Sequence, residues 1–248
     1  MKTPSWSNLK HGTRRRLVNA TNLVLASVGY RVERDLPRFV LHEYATYDEY
    51  VRVQTYHNVR KLDKVWADEQ TLAFVVELIR EHVDPIAEAS PLFGLCHGSR
   101  NGFEQAYIAK LLGYDARVLG TDISHTAADF PNSVVWDFHK EHPDWVGACD
   151  FIYTNSLDQA WNPRAALHAW PKQLKPHGSI YIEHSELHGP AGASEMDPFG
   201  VEPFYFPYIL AEWFGRSITL EVETTTKAGK ERPVWLFIVS PTDQRLLS

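Results

Sequence analysis

The chain reads as an α/β protein: a Rossmann-like, doubly wound and mostly parallel sheet that ends in a C-terminal antiparallel hairpin and carries an N-terminal helical extension. Three observations predict it. From residue 68 onward short apolar runs alternate with helical segments, which is the pattern of βαβ units and a sheet covered on both faces. A Gly-containing turn follows the first of those runs, at the place where a doubly wound sheet approaches a ligand. Near the end Ile218, Leu220 and Val222 alternate, Lys227 to Lys230 makes a turn, and Val234 to Val239 is continuously apolar, so the chain closes in a hairpin.

The elements follow in order. Residues 1–83 form the extension and 84–248 the main domain. Leu72, Val75, Val76 and Ile79 have the i, i+3, i+4, i+7 spacing of an amphipathic helix, which Asp84-Pro85 ends. Pro91 to Cys96 is an apolar run suited to a buried parallel strand, with a turn over 97–102. A helix over Phe103 to Leu112 stops at Gly113, a natural C-cap. Then come strands over Arg117–Thr121, Ser133–Trp136 and Phe151–Thr154, a helix over Pro163–Leu174, and a strand over Ser179–Glu183.

Composition bounds the possibilities. The 248 residues are 44% hydrophobic and 23% charged, which suits a protein with a sizeable core and excludes collagen-like or wholly disordered chains. Cys96 and Cys149 are far apart in apolar surroundings, so a disulfide framework is not indicated and a reducing, cytoplasmic setting is expected. The run Leu17 to Tyr30 after Arg14-Arg15-Arg16 faintly resembles a signal peptide but is interrupted by Asn19, Thr21 and Asn22. Residues 1–40 carry eight basic and two acidic side chains; with the whole chain at −6, the remainder carries −12. An acidic body argues against nucleic acid, while the basic N-terminus can touch an anionic membrane surface peripherally or dock on that body.

Chemistry-bearing residues gather at the predicted carboxyl ends of the strands. The first turn reads His97-Gly98-Ser99-Arg100-Asn101-Gly102-Phe103-Glu104. Its Gly98-x-x-x-Gly102 spacing lacks the G-x-G-x-x-G of a dinucleotide site and favours a nucleoside without a pyrophosphate. Asp122, in Gly120-Thr-Asp122-Ile123-Ser124, lies about 20 residues further on, where a carboxylate accepts both ribose hydroxyls, though it also fits a helix N-cap. Asp137-Phe138-His139 offers a carboxylate and an aromatic face to a base, or a solvated turn with a buried Phe. Asn155, Ser156 and Asp158 follow the fourth strand, and Glu183-His184-Ser185-Glu186-Leu187-His188 the fifth.

This order of motifs, with Leu174-Lys-Pro-His-Gly178 and the closing hairpin, resembles the class I S-adenosylmethionine-dependent methyltransferases over about residues 90–240. It is similar in particular to bacterial enzymes of cell-surface polysaccharide and glycan biosynthesis, some of which have an N-terminal helical extension. The resemblance implies S-adenosyl-L-methionine as cofactor, with His97, Gly98, Ser99 and Gly102 by the methionine part, Asp122 and Ile123 at the ribose, Asp137 and Phe138 by the adenine, and Asn155 and Ser156 beside the sulfonium. Gly94 stands where the family's first motif has an acidic residue and Cys96 where it has a glycine, so Glu104 becomes a candidate for holding the methionine ammonium. Gln54, Asn58 and Lys61 form a polar stripe at i, i+4, i+7, either a lid over the cofactor or a solvated helix face.

Methyl transfer to an alcohol needs a base. His184, Asp158 and His188 are candidates, and His184 leads because it follows the fifth predicted strand, whose carboxyl end faces the same crevice as Asn155 and Ser156, and a histidine titrates near neutrality. The expected reaction is O-methylation of a sugar or similar small-molecule or glycan acceptor. The acidic and histidine residues after Ile182 leave room for a divalent ion such as Mg²⁺, without a diagnostic ligand spacing. The competing readings are a nicotinamide oxidoreductase and a non-catalytic cofactor-binding protein. The aromatic segment Pro198 to Tyr208 either covers the acceptor side or packs under the last helix.

Overall fold

The computed structural model describes residues 37–82, 91–113, 115–229 and 232–242. The chain divides into Met1–Pro37 and Arg38–Ser248; the architecture below is that of the second unit. The signal-like run, most of the basic segment and its membrane contact lie outside the described residues.

The unit opens with β1 (Phe39–Leu41), α1 (Tyr47–Arg60) and α2 (Glu69–His82). Thr46 caps α1 by accepting from the Glu49 amide at 3.1 Å, and Asp68 caps α2 through the Thr71 amide at 3.1 Å, each satisfying a donor that a helix start leaves open. The apolar stripe predicted for α2 is sealed: Leu72, Val75, Val76 and Ile79 are all buried. They pack with Cys96, Val118, Phe151, Tyr153 and Tyr181 against one face of the main sheet.

That sheet contains β2 (Phe93–His97), β3 (Arg117–Asp122), β4 (Ser133–Val135), β5 (Cys149–Thr154), β6 (Leu174–Ser185), β8 (Ile218–Thr226) and β9 (Pro233–Pro241), in the order β4-β3-β2-β5-β6-β9-β8. The first five are parallel, while β9 runs antiparallel to both β6 and β8, so the mostly parallel sheet with a final hairpin predicted from sequence is present. α3 (Phe103–Leu112) follows β2, α4 (Pro163–Gln173) follows β5, and α5 (Phe206–Phe214) precedes β8. Leu95, Ile152, Ile180 and Phe237 face a second core layer with residues of α4 and α5. Alternation along each strand thus feeds two layers.

Gly94 has a steric reason within this packing: a Cβ there would lie 2.1 Å from the Phe151 ring. A short second sheet, β1 with β7 (Phe199–Val201), was not legible beforehand. It anchors the aromatic segment, in which Phe199, Val201 and Phe206 are core while Phe204 and Tyr208 are exposed.

Candidate active site

The parallel strands deliver their carboxyl ends to one edge, and the turn after β2 sets its shape. Gly98 has φ +78°, and a Cβ on it would sit 2.5 Å from the Ser156 Cβ, so glycine is required on both counts. The amides of Gly98 and Ser99 donate to the Thr121 carbonyl at 2.8 and 3.0 Å, which ties the turn to β3. Arg100 takes φ +38°, a strained value for a residue with a side chain. Its amide donates to Asp122 Oδ2 at 3.2 Å, holding it there.

A cleft of about 350 Å³ opens beside this turn. Of the residues singled out from sequence, Gly98, Glu104, Asn155, Ser156, Asp158 and His188 line it. Lys61, Arg100 and Glu183, which also belong to the predicted motifs, join them, as do Met196, Asp197 and Lys227. Glu104 is buried in α3 and its Oε2 has no hydrogen-bond partner. Burial raises its carboxyl to about 7 against the opposing pull of its own backbone amide and Arg100. Asp158 is raised to about 7 by burial as well, and its Oδ1 is also unpartnered. Asp197 rises to about 6 through burial and the Asp158 charge. Glu183 has two partners: Tyr153 donates to its Oε2 at 2.7 Å and Lys227 Nζ lies 2.9 Å from its Oε1.

His188 lies with Nε2 3.8 Å from Asp158 Oδ2. Burial lowers it to about 4, so it is neutral. Its Nδ1 accepts from the Ser185 amide at 3.1 Å, which assigns the ring proton to Nε2.

The other predicted residues lie outside the cleft lining. His97 is buried beneath it, with Nδ1 bonded to Thr121 Oγ1 at 2.8 Å and its ring 5.0 Å from that of Trp170; burial lowers it to about 3. Ser99 and Gly102 form the turn, and Gly102 caps α3. Ile123 is half-buried at the end of β3. Asp122 is buried and saturated: Oδ1 accepts from the Ser124 amide at 2.8 Å and from Asn58 Nδ2 at 2.7 Å, while Oδ2 accepts from Arg100. Asp137 accepts from the His139 ring at 2.7 Å, the His139 amide at 3.0 Å and the Tyr47 hydroxyl at 2.7 Å. Burial would raise it, but these contacts outweigh that and hold it well below the usual carboxylate range. Phe138 belongs to the core.

His184, the leading base candidate from sequence, is turned into an aromatic cluster with Phe206 and Phe237. Its Nε2 donates to the Val201 carbonyl at 3.0 Å, and burial lowers it to about 3.

The polar stripe of α1 is not a solvated face. Gln54 and Asn58 are each 3% exposed. Gln54 Nε2 donates to the Met196 carbonyl at 2.9 Å, and Lys61 Nζ contacts Met196 Sδ at 3.5 Å. Asn58 bridges two elements of the site, donating to Asp122 and accepting from Arg100 Nε at 3.2 Å. Among the described residues no group of three or more His, Cys, Asp or Glu side chains is arranged to hold a metal ion. None of the helices among them is long and apolar enough to cross a membrane.

No protein-family model and no curated protein matches the sequence. Among solved structures, the chain is similar to Burkholderia thailandensis 1,6-didemethyltoxoflavin-N1-methyltransferase with bound 1,6-didemethyltoxoflavin and S-adenosylhomocysteine, with TM-score 0.59, 14% identity, and coverage of 86% of this chain and 99% of that one. The plantazolicin methyltransferase BpumL, in complex with a triazolic desmethylPZN analog and SAH, matches at TM-score 0.57 and 12% identity, over 78% of this chain and 96% of that one. The [4+2]-cyclase SpnF matches at TM-score 0.57 and 11% identity, over 85% and 100%. One architecture therefore carries more than one chemistry. The fold of this chain is that of the class I S-adenosylmethionine-dependent methyltransferases.

Proposed function

We propose that the chain is an S-adenosylmethionine-dependent methyltransferase that O-methylates a small hydroxylated acceptor, a sugar or a related glycan unit. The observation that carries this reading is the cleft at the carboxyl ends of the parallel strands, beside the Gly98 turn, lined by two buried carboxylates that each keep an oxygen without a hydrogen-bond partner. In this reading the glycine turn leaves backbone room for the cofactor, Asp122 would take the ribose once Asn58 is displaced from it, and Asn155 and Ser156, which line the cleft, would lie beside the sulfonium.

Bound S-adenosylmethionine supplies a methyl carbon activated by its sulfonium leaving group. The protein's own work is then to position the acceptor, exclude water and take one proton. Asp158 is the base in this reading. A carboxylate raised to about 7 has the basicity that proton removal near neutrality requires, and its buried Oδ1 has no hydrogen-bond partner in the empty cleft. His188, neutral with its proton on Nε2, lies 3.8 Å from Asp158 Oδ2, beyond hydrogen-bond reach in the empty cleft. With the cofactor bound, Asp158 would take the acceptor's hydroxyl proton as the methyl group is transferred to its oxygen.

α1 acts as the lid of the extension assigned to residues 1–83, since its buried stripe bridges Asp122, Arg100 and the Met196 segment. α2 is a sheet-covering helix. Ser185, Lys227 and Asp197 line the cleft and offer hydrogen-bonding groups to a hydroxylated acceptor.

The reading is tested by incubating the full chain with methyl-labelled S-adenosylmethionine and a panel of sugars, nucleotide sugars and oligosaccharides, with product mass as readout. Label transferred to a hydroxyl supports it. Bound cofactor with no transfer to any acceptor, and no S-adenosylhomocysteine above the blank, favours a binding protein or another reaction on the same fold.

A further inference from the structure

A large aromatic side chain lines the cleft without being covered. Trp66, in the loop between α1 and α2, is 55% exposed, although tryptophan is ordinarily well buried on average. The backbone around it is tied down. From the turn after β2, Asn101 Nδ2 donates to the Leu62 carbonyl at 2.9 Å and to the Lys64 carbonyl at 3.2 Å. From the β8–β9 hairpin, Lys227 Nζ donates to the Trp66 carbonyl at 3.0 Å, and the Ala228 amide reaches Asp68 Oδ1 at 3.5 Å. Two other elements thus fix the loop in place while the indole stays open, so a ligand meeting it finds the platform already ordered. The Lys61 ammonium lies 5.9 Å from the ring, near the outer limit of a cation–π contact, and does not account for the exposed indole.

The polar groups beside it come in both senses. The Lys227 ammonium has three N–H donors. One goes to the Trp66 carbonyl and its charge faces Glu183 Oε1 at 2.9 Å, which leaves a donor for a ligand. Asp158 keeps an acceptor oxygen without a partner. A cationic group is repelled by the ammonium and an anionic one by the carboxylates, so this lining matches neutral groups that both donate and accept, as hydroxyls do. A pyranose ring joins such hydroxyls to a face of C–H bonds, and covering an exposed indole with that face removes apolar area of both from water.

We infer that Trp66 is the platform on which a pyranose ring of the acceptor stacks, with Lys227 and Glu183 hydrogen-bonding its hydroxyls. This inference rests on the acceptor reading above and specifies what holds the ring. None of residues 198–208 lines the cleft, so the aromatic face on the acceptor side comes from the α1–α2 loop rather than from that segment.

The test measures binding to the full chain loaded with S-adenosylhomocysteine, by saturation-transfer NMR. The probes are the methyl pyranosides of glucose, galactose and mannose, with sorbitol as a polyol that has hydroxyls but no ring face. At least one pyranoside should bind through its ring C–H protons, and sorbitol should not. Trp66→Ala should weaken that pyranoside about tenfold, whereas Trp66→Phe, which keeps a smaller flat face, should stay within about threefold and both should hold S-adenosylhomocysteine within about twofold. Substitution at this exposed side chain leaves the carbonyl contact to Lys227, and thermal unfolding checks that each variant is folded. If no pyranoside binds the loaded protein, if sorbitol binds as well as the rings do, or if Trp66→Ala spares the pyranoside or weakens S-adenosylhomocysteine equally, the inference is overturned while the methyltransferase reading stands. If S-adenosylhomocysteine does not bind the unaltered protein, that reading fails by itself, and the same pyranoside titration without it decides the inference.

Discussion

The two halves of the strand-end edge treat their carboxylates in opposite ways. Under α1, Asp122 and Asp137 each accept three hydrogen bonds. In the open cleft, Glu104 and Asp158 each keep an oxygen with no partner, and burial raises both to about 7. A saturated buried carboxylate holds a fold together, whereas an unsaturated one weakens the empty protein and is explained by what it awaits. Asp122 belongs to the saturated group, though burial raises it too, and it becomes available to a ribose only when Asn58 leaves it.

The largest expected effect is on the saturated side. Asp122→Ala removes the acceptor that holds the Ser124 amide, the strained Arg100 amide and the Asn58 lid contact, so it should cost about 3 kcal/mol of stability. Chemical denaturation of the cofactor-free protein measures this. A loss under about 1 kcal/mol would break the comparison.

On the unsaturated side the sign reverses. Glu104 titrates at about 7 in the folded protein and at about 4.3 when unfolded. Its contribution to stability is therefore present below about 4 and is lost as pH rises through about 7. Glu104→Gln, which carries no charge at any pH, should accordingly stabilise the empty protein by about 2 kcal/mol at pH 8, a gain that shrinks to near zero by pH 4. Denaturant midpoints across that range give the answer, and a Gln variant that is less stable at pH 8 would show that Glu104 is a structural acid after all.

The smallest effect falls on the bridge between the halves. Asn58→Ala should lose about 1 kcal/mol of stability, the ordinary net value of such a bond. It should also speed association of S-adenosylhomocysteine several-fold, because the Asn58 amide occupies Asp122 and must leave before a ribose can engage it. Stopped-flow fluorescence, aided by the eight tryptophans, separates the two consequences.

Much of this was legible in the sequence because it rests on periodicity and glycine. The stripe Leu72-Val75-Val76-Ile79, the strand-helix alternation and the closing hairpin follow from repeated apolar spacing, and the turn at Gly98 from residue type. The closing sheet of β1 and β7 was not legible, since strands of three residues carry too little pattern and their pairing is set by tertiary contacts. His184 shows a different limit. Adjacent strand residues face opposite sides, so with Glu183 directed to the cleft its neighbour points into the aromatic core, yet choosing which of the two faces in requires the packed sheet. Likewise the stripe on α1 was visible as spacing, but only the fold shows that it is buried on Asp122 rather than solvated.

The central claim, that the cleft binds S-adenosylmethionine chemistry, is tested most directly by titration calorimetry of the full chain with S-adenosylhomocysteine and, separately, NADH, at pH 8 and pH 6. The account predicts one site for S-adenosylhomocysteine at pH 8 and no heat from NADH. It further predicts an affinity about tenfold weaker at pH 6, where a group titrating near 7 is mostly protonated. Binding of NADH in place of S-adenosylhomocysteine, or no binding of either by the folded protein, would contradict it.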